Sequence, residues 1–333
     1  MIAQLSKSYI KNKPSKAFSR LVSYLFFEGR PLAAKGQFIN PLLLFFYQFI
    51  QLFPQLKKIT KPVFIIGMGR SGTTVLGKIL SLHSELGFLN EPKALWYFSN
   101  NSDDIIGTYT DHIGKYCMNE TDANKSVKNK IHKLYAFYLR SIFSKRVLDK
   151  YPEMIFRTEY IKQIFPDAKF VFIYRNGWDT ASSSAHWSEK NTVQKHDDEV
   201  HDWWGKNNRK WNLLIDQVAQ LDEELKQDLE KLKPLTKHMD KSAIEWILTM
   251  KRGNELMQEN DPAVLPIKYE ELTSHPHKVL TEIFSFCELE YQERVVQYAL
   301  NTLTVNKAKP SFHITEPFDS SFNNLMQKFS YKL

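Results

Sequence analysis

Two stretches of this chain are apolar at nearly every position and end on residues that suit a turn. Residues 63–66 read Val-Phe-Ile-Ile behind Lys61 and Pro62, then pass into a segment punctuated by Gly67, Gly69 and Gly72. Residues 169–174 read Lys-Phe-Val-Phe-Ile-Tyr and stop at Arg175. Near-continuous apolar runs rich in β-branched and aromatic residues predict strands covered on both faces, hence a parallel sheet between two layers of helices. A helical pattern follows each strand: apolar positions recur over residues 75–82 in a helix starting near Thr73, and a second helix starts near Trp178 and Asp179. Residues 133–148 carry Leu134, Phe137, Tyr138 and Ile142 at helical spacing, and residues 244–257 carry Ile247, Leu248 and Leu256. Between them, residues 99–130 are polar and read as an insertion with one or two helices, and the lysine- and glutamate-rich residues 220–241 read as a solvated helix broken at Pro234. No internal repeat or long low-complexity segment is visible.

Residues 1–60 differ from the rest and are expected to form a basic and aromatic helical extension, with one domain over residues 61–333. The apolar run at 41–53 is interrupted by Gln48 and Gln51 and is shorter than the roughly 20 residues that span a bilayer. It starts too late for a signal peptide, and no small-residue cleavage site follows. Two readings stay open: a helix packed on the domain, or an interfacial helix on a membrane surface.

Composition narrows the function only a little. The formal charge of +8 and isoelectric point near 9.1 favour anionic partners, such as nucleotides, sulfated or phosphorylated substrates or a membrane surface. Charge alone does not argue for nucleic acid, and none is expected. With only Cys117 and Cys287, the chain has no disulfide framework and no zinc cluster, so a cytoplasmic protein is expected, peripheral to a membrane under the interfacial reading. No metal is expected.

The glycine segment carries the first chemical signal. Gly67, Gly69 and Gly72 let backbone approach a ligand closely, Thr73 and Thr74 supply hydroxyls, and the helix start adds free N–H groups. Gly67, Gly72 and Thr74 match the phosphate-binding pattern G-x-x-x-x-G-K-[ST], but Thr73 stands where its lysine belongs. The cation is instead Arg70, whose fork can hold a tetrahedral oxyanion at two points. Ligands of open α/β sheets bind beyond the carboxyl ends of the strands, so Arg175 faces the same rim and asks for a second anionic group. Ser183 lies eight residues on, about two turns into the next helix.

These residues resemble the signature motifs of sulfotransferases that use 3′-phosphoadenylyl sulfate: Gly-Met-Gly-Arg-Ser-Gly-Thr-Thr at 67–74, and Phe-Ile-Tyr-Arg-Asn-Gly-Trp-Asp-Thr-Ala-Ser-Ser-Ser at 172–184. A third stretch, residues 265–276 with Lys268, Tyr269 and Glu270 followed by an amphipathic helix, is similar to that family's third motif. The resemblance covers about residues 61–290. It implies a P-loop-like α/β fold, a donor 5′-phosphosulfate held by Gly69, Arg70, Ser71, Gly72, Thr73 and Thr74, and a 3′-phosphate held by Arg175 and Ser183. Tyr269 would lie by the adenine, adenosine 3′,5′-bisphosphate would be the product, and the acceptor would bear a hydroxyl. The Arg-Ser-Gly-Thr-Thr form points to the branch with carbohydrate, tyrosylprotein and bacterial enzymes, which does not fix the acceptor.

The acceptor also needs a base. Glu91, 21 residues after Arg70 and just before Pro92, matches the position of that branch's catalytic glutamate; its alternative is to cap a helix beginning at Pro92. Glu159 is the competing base, since Phe-Arg-Thr-Glu at 156–159 aligns with the Lys-Thr-His segment of cytosolic members, with Arg157 as its cation. Val75 replaces the tryptophan those members place after the loop threonines, and their carboxyl-terminal Arg-Lys-Gly segment is not recognisable; the basic residues 306–310 read as a solvated lysine pair or as its replacement on the 3′-phosphate. Trp203, Trp204 and Trp211 read either as core anchors or as the wall of an acceptor cleft. His196, His201 and Asp202 do not form a metal set. The alternative to sulfuryl transfer is a P-loop kinase or NTPase using ATP and magnesium; a third class is a catalytically inactive nucleotide-binding or scaffold protein.

Overall fold

Alternation within the two apolar stretches decides which layer each side chain enters. Phe64, Ile66, Phe170 and Phe172 point into one core, while Val63, Ile65, Val171 and Ile173 point into a second core on the opposite side. A sheet residue can do this only if both faces of its strand are covered. The computed structural model describes residues 5–30, 36–112, 114–194, 199–305 and 308–332.

Three helices come first, α1 (Lys7–Asn12), α2 (Pro14–Phe26) and α3 (Asn40–Gln51), followed by β1 (Val63–Gly67) and α4 (Thr73–Leu80). The chain continues through β2 (Leu86–Asn90), α5 (Lys93–Ser99), α6 (Lys125–Ser141), β3 (Arg146–Lys150), α7 (Thr158–Ile164) and β4 (Lys169–Tyr174). After α8 (Gly177–Asn191) come three very short strands, β5 (Val193–Gln194), β6 (Val200–Asp202) and β7 (Gly205–Lys206). The helices α9 (Arg209–Gln217), α10 (Leu229–Leu232) and α11 (His238–Gln258) lead to β8 (Val264–Lys268). The chain closes with α12 (Tyr269–Ser274), α13 (Pro276–Phe286), α14 (Glu293–Thr302) and α15 (Phe318–Lys328).

The main sheet has the order β2-β3-β1-β4-β8 and every pairing is parallel. Asn90 lies opposite Lys150, Gly67 opposite Ile173, and Tyr174 opposite Lys268, so the carboxyl ends of all five strands form one rim. The expected α/β three-layer architecture is therefore observed. β5, β6 and β7 form a separate antiparallel sheet.

Three sequence expectations need correction. The helix expected over residues 133–148 starts earlier, as α6, and ends at Ser141; residues 146–150 are instead the strand β3. Its five residues are all buried although three are charged, because distant segments satisfy each one. Arg146 donates to the carbonyls of Lys61 and Cys287, Asp149 accepts from Trp96 and Tyr135, and Lys150 pairs with Glu91. The solvated helix expected over 220–241 is a series of short 3-10 turns and α10, with α11 beginning already at His238. The insertion after α5 is mostly loop, knotted by Asp104, whose carboxylate accepts backbone N–H groups from residues 107–110.

The amino-terminal helices pack into the same cores as the sheet. Leu43, Tyr47 and Ile50 of α3 are buried. Arg20 and Glu28 form a buried ion pair that also holds β2: Glu28 accepts the Asn90 N–H at 2.7 Å and Arg20 donates to the Phe88 carbonyl. Among the described residues, no helix is long and apolar enough to cross a membrane. Cys117 and Cys287 are both free.

Burial pushes the Asp149 carboxyl up to about 7, against the lowering effect of its hydrogen bonds from Tyr135 and Trp96. With a folded value above the unfolded one, this group stabilises the protein below about pH 3.8, and that contribution is lost as pH rises toward 7. Asp149→Asn should therefore gain stability relative to the parent as pH rises from 5 to 8. Urea midpoints of the two proteins at both pH values check this; a pH-independent difference would mean that Asp149 is already ionised in the folded protein.

Candidate functional site

The glycine loop between β1 and α4 stands at the centre of the rim. Arg70 and Gly72 both have positive φ (73° and 96°), which folds the segment back so that α4 begins at Thr73. A Cβ at Gly72 would lie 2.3 Å from the Tyr269 ring, and one at Gly69 would lie 2.5 Å from the Trp203 ring. Both glycines are thus required by neighbours, and the loop is flanked by Tyr269 on one side and Trp203 on the other. Ser71 and Thr73 are buried and Thr74 is exposed.

The three sequence motifs meet on the Tyr269 side. Arg70 Nε donates to Ser183 Oγ at 3.2 Å, joining the loop to α8. Arg175 extends from the end of β4 with its guanidinium 4.6 Å from the Tyr269 ring centroid, and it pairs with Asp179 at 3.2 Å. Burial and the like charge of Arg175 lower the Arg70 guanidinium from its ordinary value, while Glu91 acts in the opposite sense. The Lys309 N–H donates to Asp179 at 2.8 Å, so the basic carboxyl-terminal stretch reaches the same corner. Asn306 and Lys307 of that stretch lie outside the described residues, as does His196.

A cleft of about 430 Å³ opens on the Trp203 side, lined by Gly69, Arg70, Thr73, Glu91, Trp187 and Trp203 among others. Glu91 follows the last residue of β2, with a positive φ of 51°, and is not a helix cap: α5 begins one residue later than expected, with Pro92 at its N-cap. Its carboxylate pairs with Lys150, at the end of β3, and with Lys93 at 3.6 Å. Burial lifts the Glu91 carboxyl, the two ammonium groups outweigh it, and the group is held below its ordinary value. The alternation continues inward: Lys93 lies 3.7 Å from Glu153, Lys210 lies 3.3 Å from Glu153 and 2.6 Å from Glu245, and Glu245 accepts the Trp203 indole N–H at 2.7 Å. Burial would raise Glu153, but Lys93 and Lys210 outweigh it and bring it to about 2. One ionic chain therefore runs from Lys150 and Glu91 to the tryptophan that covers the glycine loop.

The outer wall of the cleft comes from two inserts. Ile106, in the loop after α5, and Trp203, between β6 and β7, both line it. The inserts hold each other: the Lys206 N–H donates to the Ile106 carbonyl at 2.9 Å, and Arg209 donates to the carbonyls of Asp104 and His112. Of the three tryptophans, Trp203 belongs to the cleft, whereas Trp204 and Trp211 are fully buried and stack edge to face at 5.4 Å.

The structure does not bring Arg157 and Glu159 to this cleft. Arg157 is fully buried, paired with Asp103 at 2.6 Å and donating to the carbonyls of Lys115 and Tyr116. Glu159 pairs with Lys162 at 2.7 Å and lines a separate cavity with Cys117 and Arg252. Lys150, Lys93, Glu153 and Lys210 went unrecognised in the sequence. For Lys150 the missed signal was the Val147-Leu148 pair, too short between charged neighbours to mark a strand.

The chain matches the family model described as "Sulfotransferase family" over residues 62–230, half of its length. Among solved structures it is similar to sulfotransferase STF9 from Mycobacterium avium, with a TM-score of 0.53 and 13% identity over 99% of this chain and 93% of that one. It is likewise similar to the sulfotransferase domain of the Synechococcus PCC 7002 olefin synthase, with a TM-score of 0.50 and 16% identity over 84% of this chain and 98% of that one. Likeness at these identities is one of fold. An uncharacterized protein of Aquifex aeolicus (strain VF5) is 25% identical over 255 residues, 72% of this chain. The chain spans 27% of that relative's length.

Gly72→Ala combines a left-handed backbone with a clash against Tyr269, and is expected to lower stability by about 1–3 kcal/mol. Chemical denaturation reads the change; an unaltered midpoint would mean that the loop does not keep this turn.

Proposed function

The chain belongs to the sulfotransferase family, and on that footing we propose that it transfers a sulfuryl group from 3′-phosphoadenylyl sulfate to an acceptor hydroxyl, with Glu91 as the base. The observation that carries the reading is the junction of three remote motifs at one corner: Arg70 bonded to Ser183, and Arg175 against Tyr269. Two like-charged guanidinium groups meeting at one corner, with burial and the charge of Arg175 lowering the Arg70 guanidinium, suit a ligand bearing two separate anionic groups. Such a ligand relieves their repulsion and is gripped in return. A glycine loop with no lysine at Thr73, and an arginine where a magnesium-binding acid would stand at the end of β4, fit that donor better than ATP with magnesium.

In this proposal the Gly69–Thr74 backbone amides, Arg70 and the Thr73 and Thr74 hydroxyls hold the donor's 5′-phosphosulfate. They stabilise negative charge on the bridging oxygen as the S–O bond breaks. Arg175 and Ser183 hold the 3′-phosphate, and the Tyr269 ring takes the adenine. Glu91 accepts the acceptor hydroxyl proton as its oxygen attacks sulfur. Lys150 and Lys93 position Glu91 and keep it ionised, so that it is ready as a base when both substrates arrive. The aromatic and ionic lining of the cleft supports a polar acceptor with an apolar face. Glu159 is not assigned the base role, since it lines another cavity.

Thermal stabilisation by adenosine 3′,5′-bisphosphate tests the donor site. At 100 times its Kd a ligand adds about 2.7 kcal/mol to stability. The expected result is stabilisation by this ligand without magnesium, lost in Arg175→Ala and kept in Glu91→Gln, while ATP with magnesium has little effect. Preference for ATP with magnesium would return the loop to the kinases. With an acceptor in hand, Glu91→Gln should lower turnover by about 100-fold or more; a smaller loss would move the base elsewhere.

A further inference from the structure

The amino-terminal helices leave an apolar face that the sulfuryl-transfer reading does not use. Helix α3 has apolar side chains on both its buried and its outer side. Leu43, Tyr47 and Ile50 are buried against the domain, while Leu42, Phe45 and Phe49, with Phe38 in the turn before it and Leu52 just after it, form an exposed stripe at helical spacing that takes in one polar residue, Gln48. Phe38, Phe45 and Leu52 are each at least three-quarters exposed. The stripe continues into Phe53 and Leu56, and Phe46, beside it on α3, touches Phe26 at the end of α2 at 6.0 Å between ring centroids. Of the 18 large apolar side chains exposed among the described residues, 12 lie between Ile10 and Leu56. A monomeric soluble surface rarely gathers so many in one segment.

Charge is distributed in the same way. Residues 1–60 hold nine lysines and arginines and one acid, Glu28, which is turned inward to Arg20. The whole formal charge of +8 therefore resides there, and residues 61–333 are balanced. Because Lys16, Arg20 and Arg30 are buried, the described surface cations of this segment are Lys7, Lys11, Lys13, Lys57 and Lys58. Beside the carboxyl end of α3, Lys57 donates to the Ser144 carbonyl, next to Phe143, the most exposed large apolar side chain described. Lys145 and Arg140 lie close enough to add their like charge to the burial that lowers the Lys57 ammonium. The only acid paired with this cluster among the described residues is Glu85, 3.7 Å from Lys145.

A second copy of the chain would bring this excess of positive charge against itself. An anionic lipid surface complements both features, because acyl chains take the phenyl and leucyl groups while headgroups take the cations. We infer that α3, with Phe26 and Phe143 beside it, seats the protein on an anionic membrane surface, with the Phe38-Leu42-Phe45-Phe49-Leu52 stripe entering the headgroup–acyl boundary. At 12 residues α3 lies in the surface and does not cross it. The inference concerns where the protein works and does not rest on the sulfuryl-transfer reading.

The test is sedimentation of the purified full chain with vesicles of phosphatidylcholine alone or mixed with phosphatidylserine, which reads binding and not catalysis. Preferential binding to the mixed vesicles, weakened by salt, is expected. Phe45→Ser/Phe49→Ser/Leu52→Ser should reduce the partition coefficient roughly tenfold or more. Lys57→Gln/Arg140→Gln/Lys145→Gln should reduce the preference for phosphatidylserine while leaving some apolar binding. All six positions are partly or fully exposed, and far-UV circular dichroism together with an unchanged urea midpoint would show that the variants fold. Absence of vesicle binding, or binding indifferent to the serine substitutions, would overturn the inference. So would a dimer by light scattering that those substitutions dissociate, since the face would then belong to a second copy.

Discussion

Crowding cationic side chains along one edge of a buried sheet is self-repulsive, and the carboxylates that relieve the repulsion shape much of the remaining structure. Arg175 is answered by Asp179 and by the face of Tyr269, whereas Arg70 hydrogen-bonds Ser183 and makes no ion pair among the described residues. On the cleft side, relief comes from strict alternation: Lys150, Glu91, Lys93, Glu153, Lys210, Glu245. No member of such a chain is independent. Removing one buried partner strands the other at a cost of about 3–5 kcal/mol. The alternation also fixes geometry, because its last carboxylate holds the indole that covers Gly69.

The amino-terminal helices belong to the same arrangement. Strand β2 is an edge strand whose carboxyl end carries Glu91, and an edge strand needs its backbone satisfied. Glu28 accepts the Asn90 N–H, Arg20 and Tyr138 donate to the Phe88 carbonyl, and buried Lys16 donates to the Leu86 carbonyl. Residues well outside the family match at 62–230 thus orient the residue proposed as base.

How much of this was legible in the sequence depended on how local the cause was. β1 and β4 could be read because both faces of each strand are apolar, and the glycine loop because its spacing is itself the signal. That Arg175 shares the rim of the glycine loop followed from the rule that ligands gather at the carboxyl ends of parallel strands, whereas Ser183 was marked only by the family resemblance. β3 could not be read: Arg146, Asp149 and Lys150 are buried only because partners from Lys61 to Cys287 satisfy them, and no window of neighbouring residues contains those partners. Arg157 misled for the same reason. Its local setting suits a catalytic cation, but its partner Asp103 lies 54 residues upstream in a loop whose path the sequence did not reveal.

The two halves of the site differ in how they are built. The proposed donor side comes from compact strand–loop–helix units at β1–α4, β4–α8 and β8–α12, each fixed by the sheet. The opposite wall comes from two inserts far apart in the chain that grip one another through Ile106, Lys206 and Arg209. Natural drift must treat these halves unequally. A change in either insert alters the fit of the other, so the pair is the unit on which selection for a new acceptor would act if this wall holds the acceptor, as proposed. If the proposed assignment of the two halves holds, descendants of this chain could exchange that pair, and with it their acceptor, while inheriting the proposed donor corner intact.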